Sequence, residues 1–372
     1  MSDNENEVGL SKSEIDTPAL LIDLPVMENN LKTMAAYFNG VEANLRPHVK
    51  LHKATPVLAH RQLQAGAVGV TCAKLAEAEV LAASGIKDIL IANQIVGSRK
   101  IGRLVNLATY TDIMVAVDNY DNVEELSQAA QANGIKIRVL VEVNIGHNRC
   151  GVAPLEPALG LSKSIQKAPG LKYMGIMGYD GHCTYENEVS KRELVSKEAN
   201  TLLVETRKYI EDAGLKVEIV SAGGTSSYYI AAGMDGITEI QAGTYLLMDT
   251  SFREKGVLDF DCALTVLSTI ISRPSWPGAE DLAVIDTGRK ATSILLGLPE
   301  MKFPANTSVT SLSQEHGRIK LEGTALELQV GDKVEMWVRD SNNTINLYDK
   351  FYAMQDDVVE AVWEIPGRGK MT

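Results

Sequence analysis

Within residues 137–144, Ile137-Arg138-Val139-Leu140-Val141-Glu142-Val143-Asn144, Val139-Leu140-Val141 forms a continuous apolar centre where strict alternation would place a polar residue at 140. A strand with one face in water alternates, whereas a strand covered on both faces does not, so this run predicts a buried strand of a parallel sheet. Asp88-Ile89-Leu90-Ile91-Ala92-Asn93 has the same texture. Outward from these two, short β-branched runs recur at 43–50, 67–72, 112–117, 173–179, 217–221 and 239–243. Helical stretches separate them, among them 122–133 and 193–213, the second with Gly214 as its stop. Eight strands each followed by a helix predict an α/β fold, a (β/α)8 TIM barrel, with catalytic groups gathered at the C-terminal ends of the strands. An open doubly wound sheet has the same local alternation; the regularity of the repeat favours the barrel.

Past about Phe252 the pattern changes to alternating segments at 263–272, 282–287, 317–323, 332–338 and 360–367, separated by Gly, Pro, Asn and Asp. These predict short antiparallel strands. The expected organisation is a barrel over 17–252, a smaller, mostly antiparallel β domain over 253–372, and a segment 1–16 packed on that β domain. A length of 372 residues suits two such domains.

The net charge of -12 argues against nucleic acid, which needs a cationic surface, but leaves room for an anionic cofactor in a local basic pocket. No apolar run is long enough to span a bilayer, and residues 1–14 are polar and acidic, unlike a signal peptide. The four cysteines, Cys72, Cys150, Cys183 and Cys262, lack CxxC spacing, which favours reduced thiols over a disulfide frame or a structural zinc site. A cytoplasmic protein is expected.

The densest polar constellation is Arg46-Pro47-His48-Val49-Lys50-Leu51-His52-Lys53, at the end of the first barrel strand. A lysine in a partly desolvated barrel mouth can act as a Schiff-base nucleophile, although a basic strand end alone is more often merely solvated. Complementary parts recur at later strand ends. Gly223, Gly224 and Thr225 follow strand seven, and Gly243 and Thr244 follow strand eight. Glycine turns there let backbone N–H groups approach a phosphate, at the position where barrels commonly bind one. Strand five ends in Glu142-Val143-Asn144-Ile145-Gly146-His147-Asn148-Arg149, in which Arg149 could bond a cofactor oxygen or make a structural salt bridge. Strand six ends in Gly178-Tyr179-Asp180-Gly181-His182, a ring able to pack on a cofactor beside a carboxylate and an imidazole able to move protons.

With these residues in place the chain resembles the fold type III pyridoxal-phosphate enzymes, in the branch of D-threonine aldolase, D-serine dehydratase and 3-hydroxy-D-aspartate aldolase. The matching stretches are RPHVKLHK (46–53), GVTCAKLAEAEVL (69–81), VEVNIGHNRCGV (141–152), SAGGTSS (221–227), EIQAGTYLLMD (239–249), the EHG of His316 and the NLYD of Asp349. They run in order from Thr17-Pro18-Ala19-Leu20 to the end of the chain. The resemblance implies that Lys50 carries pyridoxal phosphate and that Arg149 and Tyr179 contact its ring substituents. Gly223, Gly224, Thr225, Gly243 and Thr244 become its phosphate cradle. It also implies a homodimer.

One stretch departs from the pattern. Relatives carry a divalent-metal pair in a PxHxDPT or PxHxCPT motif; here Asp340 stands at the His position, Asn342 at the Asp/Cys position and Asn343 at the Pro. Oxygen donors alone suit Mg2+ or Mn2+ if any metal, and a polar turn between strands is the plainer reading. The leading expectation is a lyase of a D-configured β-hydroxy-α-amino acid, cleaving Cα–Cβ to glycine and an aldehyde. Asp180 and His182 are the expected acid–base groups beside Lys50. β-Elimination to a 2-oxo acid and ammonia, racemisation, a non-catalytic pyridoxal-phosphate carrier and a cofactor-free barrel are the alternatives.

Overall fold

The computed structural model describes residues 7–372; Met1–Asn6 lie outside the described residues, and with them part of the expected N-terminal segment. The chain forms two compact units. One holds residues 34–50, 54–244 and 369–372, and the other residues up to 33, 51–53 and 245–368.

The first unit is the predicted parallel sheet. Its strands are Asn44–Leu45, Val70–Cys72, Asp88–Ile91, Asp112–Val117, Ile137–Glu142, Leu171–Met177, Ile219–Ala222 and Glu239–Ile240. From the second strand to the eighth each pairs in parallel with the next, and the eighth pairs in parallel with the first. Between the first and second strands the chain closes the ring with Val68 N–H to Leu45 O (3.0 Å), Thr71 N–H to Pro47 O (2.9 Å) and Val49 N–H to Thr71 O (2.8 Å). The sheet is therefore a barrel and not an open doubly wound sheet. Leu90, Met114, Ala116, Leu140, Met174 and Met177 form one of its buried apolar clusters. The fifth strand is buried at every residue except Arg138, Glu142 included, as expected of a strand covered on both faces.

The helices follow from local signals. Tyr120–Ala132 starts where the Asn119 side chain accepts hydrogen bonds from the backbone N–H groups of Asp121 and Asn122. Val189–Asp212 begins four residues before the expected start and ends just ahead of Gly214, which takes φ +87°.

Toward the N-terminal ends of the strands the barrel carries an ionic cluster that runs from buried Arg46 and Glu239 out to exposed Asp112. Arg46 is 3% exposed and donates through Nε to Glu239 (2.9 Å) and through Nη1 to Asp88 (2.7 Å). Arg138 reaches Asp88 and Asp112, each at 2.7 Å. A Cβ on Gly69 would fall 2.1 Å from Arg46 Nη1, so this glycine makes room for the guanidinium. The sequence grouped Arg46 with the basic strand end. In the structure its side chain serves the floor, four residues before Lys50, which stands at the C-terminal end of the strand.

The second unit is the predicted antiparallel sheet. Leu264–Ser272 is its central strand, pairing antiparallel with Leu282–Ile285, Lys333–Trp337 and Ala19–Asp23. Ala19–Asp23, the first strand in the chain, also pairs in parallel with Lys350–Gln355. That strand forms a hairpin with Val358–Glu364, onto which Gly9 and Ser11 add. Its core gathers Ile15, Ala19, Leu21, Leu267, Tyr352, Met354 and Val359. Among the described residues no helix is long and apolar enough to cross a membrane, and all four cysteines are unpaired.

Candidate active site

Lys50 follows directly on the barrel's closing segment, where Pro47 and Val49 are tied to Thr71. Its backbone N–H donates to His48 Nδ1 at 3.3 Å, which fixes the turn. Lys50 Nζ lies 5.7 Å from the centre of the Tyr179 ring, and Arg149 Cζ lies 5.4 Å from it. Two cations over one ring gain from its negative face. Burial is the main cause that pushes the Tyr179 hydroxyl far above its ordinary value, so it stays a neutral phenol. The three residues expected at the end of strands one, five and six are brought together.

Arg149 is half exposed and 3.8 Å from Glu142 Oε1. Glu142 closes the fifth strand and accepts a 2.5 Å hydrogen bond from Gln94. Burial pushes its carboxyl above the ordinary value, against the pull of Gln94 and Arg149.

Tyr179 leads into a short turn, Gly181–Tyr185, that carries His182. Gly181 is required there, because a Cβ would fall 2.2 Å from Tyr179 Cε1. Asp180, 1% exposed, turns one oxygen away from the mouth: Oδ2 accepts from Ser196 Oγ (2.6 Å) and Asn200 Nδ2 (3.1 Å) on the helix Val189–Asp212. Its Oδ1 is buried with no hydrogen-bond partner, as are His182 Nδ1 and His147 Nδ1. An unmade buried hydrogen bond costs about 1–3 kcal/mol, so these three atoms could each bond a polar group of a ligand.

His147 was quoted in the sequence motif but given no role there. Its ring stands edge-on to Tyr179 at 5.4 Å and stacks on His182 at 6.2 Å with 24° between planes. Burial, then Arg149 and His182, push its imidazole below the ordinary value, with Asp180 opposing. A short-range signal existed, His147 two residues before Arg149, but its partner lies on the next strand's loop.

Gly223 takes φ +69°, and a Cβ on Gly224 would lie 3.5 Å from Tyr179 Cε2, so the turn after strand seven runs against the ring. Thr225 is buried, and Gly224 N–H donates to Ser227 Oγ at 3.1 Å. Gly243, after strand eight, sits on the first strand's end, where a Cβ would fall 2.0 Å from His48 O; Thr244 follows it. A cation, a neutral phenol, an arginine and two glycine turns fit the groups of a phosphorylated pyridine aldehyde.

Asp340 and Asn342 belong to the other compact unit. Asp340 is 4% exposed and caps the helix Ser341–Ile345. Its Oδ1 accepts from Asn343 N–H (3.2 Å), and its Oδ2 from Ser293 Oγ and Asn343 Nδ2, both at 2.7 Å. A carboxylate already holding three hydrogen bonds, beside one neutral amide, does not fit a divalent cation. Among the described residues no cluster of three or more His, Cys, Asp or Glu side chains is arranged to hold a metal.

Barrel and mouth define an enzyme that works at the C-terminal rim of a closed parallel sheet. Residues 22–251 match the family model of the alanine racemase N-terminal domain, and residues 263–354 that of a putative serine dehydratase domain. D-Threonine aldolase of an Arthrobacter species is 35% identical over 96% of this chain and 94% of its own. 3-Hydroxy-D-aspartate aldolase of Paracoccus denitrificans is 33% identical over 97% of this chain and 94% of its own. The crystal structure of D-threonine aldolase from Filomicrobium marinum superposes with a TM-score of 0.93, at 34% identity, over 98% of this chain and 99% of that one. The chain therefore belongs to the alanine-racemase-like barrel enzymes, in the D-threonine aldolase family.

Proposed function

We propose that the protein is a pyridoxal-phosphate-dependent lyase that cleaves a D-configured β-hydroxy-α-amino acid to glycine and an aldehyde. The observation that carries this reading is Lys50 and Arg149 ranged over the Tyr179 ring at the barrel mouth. Its similarity to two aldolases over nearly its whole length supports it.

Lys50 would hold the cofactor, Tyr179 and Arg149 its ring substituents, and Gly223, Gly224, Thr225, Gly243 and Thr244 its phosphate. When bound, the cofactor supplies an electron sink beside Cα. His182 would take the β-hydroxyl proton at a ring nitrogen. As the O–H bond breaks, the pair left on oxygen becomes the second bond of the aldehyde carbonyl, and the Cα–Cβ pair leaves with the glycine fragment. Asp180, anchored by Ser196 and Asn200, would orient the turn that carries His182. No step is assigned to Asp340 or Asn342. The reading also takes the protein as a cytoplasmic homodimer, the compartment being supported by its four unpaired thiols.

Purified protein with pyridoxal phosphate is offered D- and L-3-hydroxy amino acids, with EDTA and with added Mn2+. Glycine plus an aldehyde from a D-substrate is expected, equally in both conditions. Ammonia plus a 2-oxo acid would replace aldol cleavage by β-elimination.

A further inference from the structure

We propose that His147 and His182 work as one proton-holding pair, in which His147 positions His182 and keeps it able to accept the substrate's proton. This rests on the lyase reading and names a residue that reading does not use.

The geometry comes from two adjoining strands. The fifth and sixth pair Val141 with Ile176 and Glu142 with Met177, so the loops that follow leave the sheet side by side. Gly146 then brings the fifth loop against the sixth: it takes φ +116°, and a Cβ there would fall 2.9 Å from His182 Nε2. With no side chain at 146, the His147 ring stacks on His182 at 6.2 Å and meets Tyr179 edge-on. Both Nδ1 atoms are buried and unpartnered, so neither ring is committed to the protein on that side.

Two imidazoles so close, in a mouth that already holds the cations Lys50 and Arg149, cannot both be charged without mutual repulsion. The other groups facing them are the Asp180 carboxylate, the neutral Tyr179 hydroxyl and, behind Arg149, Glu142. A proton on either ring then disfavours one on the other, and the second is taken up less readily than the first. His147 thus acts through His182 and extends activity to lower pH.

Histidine-labelled protein without cofactor, as wild type and as H182F, is titrated by NMR. For charges 6.2 Å apart, water-like to protein-like screening predicts that the His147 midpoint rises by about 0.5 to 2 pH units in H182F. In the holoenzyme H147F keeps the ring stack but holds no proton, and the acid limb of kcat is expected at higher pH than in wild type. H147Q, without a ring, must move the limb in the same sense. A His147 midpoint unmoved in H182F, or an acid limb unmoved in both His147 variants, overturns the pair. Failure of the lyase reading looks different: wild-type enzyme yields no glycine and aldehyde, while the cofactor-free titration still shows the coupling.

Discussion

Toward the N-terminal ends of its strands the barrel sets Arg46 and Arg138 against Asp88, Asp112 and Glu239, so that every charge meets an opposite one within 2.9 Å. At the C-terminal ends it sets Lys50, Arg149, His147, His182, Asp180 and Tyr179 around one mouth and leaves three buried polar atoms unpartnered. The carboxyls record the difference. Burial by itself would raise Asp88, but Arg46 and Arg138 bring it below its ordinary value. Glu142 has only Gln94 and a more distant Arg149, and burial wins. Ion pairing gives each charged side chain of the floor an opposite partner, although Glu239 Oε1 and Arg138 Nε make no hydrogen bond, while the mouth gathers cations, imidazoles and a phenol with few such pairs.

Five variants would break or sharpen that contrast. The largest effect is expected from Lys50→Ala, which should lower turnover by on the order of a thousandfold or more with the denaturation midpoint nearly unchanged. Stopped assays alongside a urea melt check both halves, and residual turnover near wild type would remove Lys50 from the chemistry. Arg46→Ala should do the reverse. Leaving Glu239 buried without its partner costs about 3–5 kcal/mol in chemical denaturation, with activity retained per folded molecule. Gly146→Ala is intermediate: strain at positive φ costs about 1 kcal/mol, and displacement of His182 should cut kcat about tenfold. A kcat like wild type would show that the Gly146–His182 approach is not needed.

The smallest effect is one of sign in the pH dependence of stability. Asp88 has a folded value below its unfolded one, so its contribution is present above the unfolded value and is lost as pH falls through the folded value. Glu142 has a raised folded value, so its penalty is fully present above that value and is relieved as pH falls toward the ordinary carboxylate range. Urea midpoints measured from neutral to acid pH should therefore fall less steeply in Asp88→Asn than in wild type, and more steeply in Glu142→Gln. Slopes that changed in the same direction would contradict the contrast between floor and mouth.

Much of this was legible in residue order. Continuous apolar stretches such as 139–141 and 89–92 suit strands covered on both faces, so a parallel sheet followed, and eight strand runs in regular alternation with helices led to the barrel. The change to period-two patterning past Phe252 announced the antiparallel sheet. Two things were hidden for one reason. Arg46 and Lys50 are neighbours in a single basic stretch, and only closure of the ring sends one to Glu239 and Asp88 and leaves the other at the rim. His147 and His182 are 35 positions apart, and only the pairing of the fifth and sixth strands, with a glycine at 146, sets their rings in contact.

Asp340 shows a third case, in which the fold adds contacts that residue types alone do not reveal. The substituted residue types questioned a metal there, and the fold commits the carboxylate to capping a helix and to Ser293. The sequence by itself determined the alternation of strands and helices, the change to antiparallel strands past Phe252 and the family resemblance, because periodicity and ordered motifs are local properties of the chain. Which polar groups are saturated and which are left open is decided by contacts between distant strand ends, and that only the tertiary structure could settle.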